Sequence, residues 1–200
     1  MCNRGPVFYG VRMSRSVRGS AVSSRNPSRY GALLITLHWL MLALIVAVYA
    51  CIELRELYPK GSTIREALEM WHYMLGLTIF ALVWLRLLAR LAGQVPAIVP
   101  TPPRWQMRAA HVVEFTMYAF VIVMPLLGWA IVSGEGKSVL FFGIELPRLI
   151  GENRSLAHEL EDVHELIGNV GYALIGIHAL AALMHHYMRR DNTLKRMLPG

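Results

Sequence analysis

Charge is what this sequence has least of. Only 16% of its 200 residues are Asp, Glu, Lys or Arg, against 55% hydrophobic, whereas a soluble domain is about 25% charged and about 45–50% apolar. That shortage excludes an ordinary water-soluble globule. Cysteine is scarcer still, with Cys2 and Cys51 the only two, and the membrane predicted below separates them too widely to pair within one chain. Acid is absent from the first 30 residues, which hold Arg4, Arg12, Arg15, Arg18, Arg25 and Arg29. This Arg- and Ser-rich tail also lacks the apolar stretch of a secretory signal. A net charge of +7 would suggest nucleic acid in a soluble protein, but no groove-reading helix or base-stacking sheet accompanies it, and no nucleic-acid partner is expected.

Long uncharged runs are what the chain has instead. They extend from Gly31 to Ile52, from Met70 to Trp84 (continuing to Ala89 if Arg86 is tolerated), from Phe115 to Gly134 and from Leu166 to Met188. A ~30 Å hydrocarbon core takes about 20 residues of helix, and a lipid-exposed backbone must satisfy its own hydrogen bonds. The expectation is an all-α, transmembrane four-helix bundle in contact with membrane lipid. Basic residues fall on one side of it: six in the N-terminal tail, four from Arg86 to Arg108 and four from Arg189 to Arg196. Eleven of the 13 acids fall on the other, between Glu53 and Glu69 and between Glu135 and Glu165. Since Lys and Arg stay inside, both termini are predicted cytoplasmic.

Residues 1–27 are expected to be a disordered basic tail, with Met13 a second candidate initiator, and residues 28–200 a single four-helix domain. Gly93 to Pro103, with four prolines, is expected to be a stiff connection that cannot be helical throughout. Pro125 should kink the third span.

Eight histidines remain, and ionisable groups inside spans are functional suspects by default. His164 and His178 lie 14 residues apart on the fourth span, about 21 Å along the axis and within about 40° of one face. His72 opens the second span at the level of His164. His38 and His178 both lie in the inner half. Two cross-helix pairs follow, His72 with His164 and His38 with His178, with His185 an alternative to His178. Facing imidazoles can fill both axial positions of a haem iron held in a bundle core, and two pairs imply two stacked haems. No C-x-x-C-H stretch exists, so neither haem would be covalently attached. Zinc is the rival, but a structural zinc site wants four clustered ligands, and the pairs are too far apart in depth to pool. Arg86 sits 14 residues after His72 and should point into the bundle near the inner pair, placed to meet a propionate. Gly76 and Gly168, one turn from the outer histidines, would let a flat macrocycle approach. His111, with Arg108, is a candidate quinone contact. His185 and His186 are expected to snorkel at the inner interface, His158 to be solvated in an acidic loop, and Trp39, Trp71 and Trp105 to be interface anchors.

The chain resembles the bacterial cytochrome b561 family of four-helix dihaem inner-membrane proteins. The resemblance runs over residues 28–199 and is carried by Thr36-Leu37-His38-Trp39-Leu40, by Tyr49 to Arg55 and by His72. Its most specific part is the ending: His164-Glu165, Gly171-Tyr172, Gly176-Ile177-His178-Ala179, His185-His186-Tyr187 and Asp191-Asn192-Thr193-Leu194. It implies two b-type haems (heme b) with axial ligands at His38, His72, His164 and His178. It also implies respiratory electron transport in the bacterial inner membrane, in one form from superoxide on the periplasmic side to ubiquinone.

Three readings of function follow. The first is transmembrane electron transfer that draws on a small-molecule or protein donor, superoxide among them, and feeds the quinone pool. Lys60, Arg65, Lys137, Arg148 and Arg154 are its outer basic candidates for steering an anion. The second is a haem-carrying membrane anchor between quinone and a separate dehydrogenase or hydrogenase. The third is a haem-free, histidine-lined metal or proton transporter.

Overall fold

A computed structural model describes residues 28–199. The expected tail of residues 1–27, including Cys2, lies outside the described residues, as does Gly200. Four long helices make up most of the remainder: α1 (Ala32–Arg55), α2 (Thr63–Ala92), α3 (Arg104–Gly134) and α4 (Arg154–Tyr187). All four are long and apolar enough to cross a membrane.

Three helices begin well before their uncharged runs do. A count of uncharged residues stops at the first charge, whereas a helix continues past the hydrocarbon edge wherever its first turn is satisfied. For α2 the Ser62 hydroxyl accepts from the Arg65 amide at 3.4 Å, and for α4 the Asn153 side chain accepts from the Leu156 amide at 3.1 Å, each covering a donor with no intrahelical partner. One expectation is corrected as a result: His158 is on α4, not in a loop, although it is exposed and lies 3.9 Å from Glu161. Helix α3 runs through Pro125. The Gly93–Pro103 stretch is non-helical.

The sequence reading also missed a two-stranded antiparallel hairpin, β1 (Val139–Phe141) and β2 (Ile144–Leu146). Its turn residues Phe142 and Gly143 both have positive φ, 47° and 86°, the mark of a type I′ turn. The hairpin packs Val139, Phe141 and Leu146 onto Leu77, Tyr73, Trp129 and Val132. The central cluster is Met41, Ile79, Val83 and Val121, contributed by α1, α2 and α3. Helix α4 buries only Ala157 and Gly171, because most of its apolar surface faces outward or toward a central space.

Two polar assemblies close the ends. At the acidic end, Arg65 reaches Glu56 at 2.9 Å and the Arg55 and Tyr58 carbonyls, while Arg55 reaches Glu69 at 3.3 Å. At the basic end, residues 191–197 form a clasp. Asn192 accepts from the Val99 amide at 2.8 Å and donates to the Ala97 carbonyl at 3.1 Å. Buried Arg196 donates to the Pro96 carbonyl and stacks on Tyr30, and the Trp39 indole donates to the Met197 carbonyl at 2.8 Å.

Candidate functional site: two facing histidine pairs

Helix packing brings four histidines together in pairs. The rings of His72 and His164 have their centres 6.2 Å apart, and those of His38 and His178 are 6.1 Å apart. A metal held in trans between two imidazoles, with bonds of about 2.0–2.1 Å and roughly 1.1 Å from ring nitrogen to ring centre, spaces those centres by about 6.3 Å. Both pairs lie close to that spacing. Among the described residues, no group of three or more His, Cys, Asp and Glu side chains converges as a metal site.

The acidic-end pair faces a cavity of about 570 Å³, within the usual range of cofactor sites, about 300–1,000 Å³. His72 Nδ1 pairs with the Val48 carbonyl at 3.1 Å, the backbone hydrogen bond that typically orients a ligating imidazole. His164 Nδ1 is buried without a partner. Gly76 lines the cavity, and a Cβ there would meet nothing within 4 Å. Gly168 also lines it; a Cβ there would meet the Met124 methyl at 3.6 Å, and its carbonyl accepts from the Tyr49 hydroxyl at 2.7 Å. The arrangement fits a flat macrocycle gripped by two histidines.

At the basic-end pair, Arg86 is half-buried, donates to the Leu34 carbonyl at 3.5 Å, and its charge reaches both His38 and His178. Sequence reasoning missed Glu114, which pairs with Arg90 at 3.2 Å and whose charge also reaches His178. Its signal was available, since Glu114 and Asp191 are the only acids on the basic side. Two further glycines take part, Gly128, which the sequence reading passed over, and Gly171, which it named only within the family's ending. A Cβ at Gly128 would meet the His164 ring at 3.6 Å, and Gly171 leaves room for Phe120, which a Cβ would meet at 2.6 Å. His164, Gly171, His178 and His185 fall every seventh residue on α4, so one stripe carries a paired histidine, a filled gap, a second paired histidine and a further histidine.

The remaining histidines are placed elsewhere. His185 and His186 are both half-buried, His185 Nδ1 is engaged by the Asp191 carboxylate, and His186 Nδ1 is buried without a partner. The clasp turns the chain back over the end of α4 and covers them, which a reading of α4 alone could not anticipate. His111 and Arg108 are exposed on α3.

Fold and site define a class: a four-helix bundle of membrane-crossing length with facing histidines stacked at two levels. The chain belongs to the prokaryotic cytochrome b561 family, whose model matches residues 29–200. It is 38% identical over 172 residues to cytochrome b561 homolog 1 of Escherichia coli (strain K12), covering 86% of this chain and 98% of that one. It is 39% identical over 171 residues to the "Probable superoxide oxidase CybB" of Yersinia pestis, covering 86% and 96%. Cytochrome b562 of Cereibacter sphaeroides is 27% identical over 175 residues, covering 84% and 94%. Family and helices together make this an oxidoreductase or electron carrier of the bacterial membrane, with b-type haem as the family's cofactor.

Proposed function

We propose that the chain holds two b-type haems, one between His72 and His164 and one between His38 and His178, and moves electrons across the inner membrane from superoxide outside to ubiquinone inside. The observation that carries this reading is the equal spacing of two histidine pairs at two depths. Bound haem supplies a reversible one-electron iron couple whose potential the protein tunes.

The chain's own residues do the rest. Two imidazoles would hold each group, His72 and His164 one and His38 and His178 the other. Gly76, Gly128 and Gly168 keep the walls of the acidic-end cavity flat, and Arg86 supplies a half-buried cation suited to a carboxylate. Tyr49 and Phe120, packed at Gly171, fill the space between the two levels and exclude water from it. With the basic end inside, as the distribution of Lys and Arg supports, both termini are cytoplasmic. Residues 28–200 then act as one domain, and His111 and Arg108 are exposed where a quinone would arrive.

A second reading has a specific observation in its favour. The charged residues lining the acidic-end cavity are Glu53, Arg55, Glu56, Glu161 and Glu165, four acids to one base, which opposes the arrival of an anion. A membrane anchor passing electrons between quinone and a separate dehydrogenase or hydrogenase subunit has no need of such steering. Stopped-flow spectroscopy of the purified protein separates the two. Haem bands that reduce within milliseconds of adding superoxide and reoxidise with a ubiquinone analogue support the first. Inertness to superoxide, with a stoichiometric soluble partner in the purified complex, supports the second.

A further inference from the structure

The cavity between His72 and His164 is lopsided in charge. Its acids stand on two sides, Glu53 and Glu56 at the end of α1 and Glu161 and Glu165 on α4, whereas Arg55 is the only Lys or Arg among the described residues that lines it. A b-type haem carries its carboxylates along one edge. Turned toward α4, that edge would meet like charge in Glu161 and Glu165. Glu53 has nothing to donate, and its carboxylate already accepts from the Tyr172 hydroxyl at 2.7 Å. Arg55 is the cation that remains.

Arg55 is also placed for the task. It closes α1 and is drawn over the cavity by Glu69 at 3.3 Å. Glu69 lies three residues before His72 on α2, on the same face and about one turn away, and the Arg55 charge reaches His72. Nε and Nη1 of Arg55 donate to Glu56 and Glu69, which leaves Nη2 without a hydrogen bond among the described residues. Both of those carboxylates have a second holder, for Arg65 meets Glu56 at 2.9 Å and Glu69 at 3.4 Å. Arg55 can therefore turn to a third carboxylate without leaving either glutamate unpaired, and an unpaired charge is what makes such exchanges costly.

Resting on the two-haem reading, we propose that Arg55 receives a carboxylate of the haem held by His72 and His164, and thereby sets which edge of the macrocycle faces the end of α1. Two neighbouring arginines then have different work. Arg55 binds, with the planar fork that suits a carboxylate, and Arg65 keeps the glutamates that Arg55 releases.

The test uses the full chain carrying His38→Ala, which leaves the acidic-end haem alone, and follows release of that haem to apomyoglobin in detergent. Adding Arg55→Gln should speed release by about tenfold or more, the effect of losing one charge-assisted hydrogen bond. It should also lower the midpoint potential, because a carboxylate near the iron then lacks its counter-charge. Arg55→Lys, which keeps the charge and loses the fork, should fall between. Glu69→Gln separates binding from bracing, since it removes a partner of Arg55 but frees the guanidinium, and release should be no faster than in the parent. Unchanged release in Arg55→Gln would overturn the inference. So would a Glu69→Gln chain that releases haem as fast as Arg55→Gln, which would make the arginine a strut of the charge network. Failure of the two-haem reading shows differently: the His38→Ala chain then holds no haem with two axial histidines, and both proposals fall together.

Discussion

His72 and His164 face the same space but are held differently, one ring by the Val48 carbonyl and the other with Nδ1 buried and unpartnered. On the proposed reading each ring is half of a two-handed grip on one haem. His72→Ala or His164→Ala should therefore lower haem content from two per chain toward one, measured by pyridine haemochrome, and His38→Ala or His178→Ala should remove the other. Between the levels, Gly171 is fixed by contact alone. Gly171→Ala should cost about 1–3 kcal/mol by overpacking against Phe120 and Tyr49, read as a lower Tm in detergent and partly restored by Phe120→Leu. The paired histidines were legible in the sequence because helix pitch converts residue spacing into depth and face. Gly128 was not, because its partner lies on another helix and nothing local marks it, and Gly171 was marked only as part of the family's ending, without the Phe120 and Tyr49 it packs against. Glu114 was visible as an isolated acid but needed the α2–α3 packing to acquire a partner.

The same division holds for elements. Four helices follow from composition, since an uncharged run of membrane length has few alternatives. The hairpin does not, because strands of three residues carry too little periodicity and its turn lacks the Asn-Gly signature. The clasp was hidden for another reason: it is built from single residues reaching the α2–α3 connection and the start of α1. Its centre is Asp191. Burial opposes ionisation there, but hydrogen bonds from His185 and Thr193 outweigh it and hold the carboxyl below its ordinary value. A carboxylate depressed in the folded state adds stability above its unfolded pKa of about 3.9, and that stability is lost as pH falls through the folded value. Amide exchange in residues 191–197, corrected for intrinsic rates, should thus accelerate below about pH 4. Asp191→Asn should weaken the clasp by about 1–3 kcal/mol at neutral pH as well, and an unchanged exchange profile in that variant would count against the clasp.

At the scale of the whole molecule, charge decides orientation. Arginines gather at the end holding the His38 and His178 pair and carboxylates at the other. In spheroplasts of a cysteine-free background, a membrane-impermeant maleimide should label Glu152→Cys at least tenfold faster than Lys195→Cys, and the reverse order would invert the proposed direction of the bundle. Everything functional rests on each facing pair sharing one iron. Haem stoichiometry of the purified full chain, taken together with its electron paramagnetic resonance spectrum, tests that most directly. The result predicted is two haems per chain, both low-spin with two axial histidines. A chain that is well folded yet holds one haem, holds none, or gives a high-spin signal would contradict it.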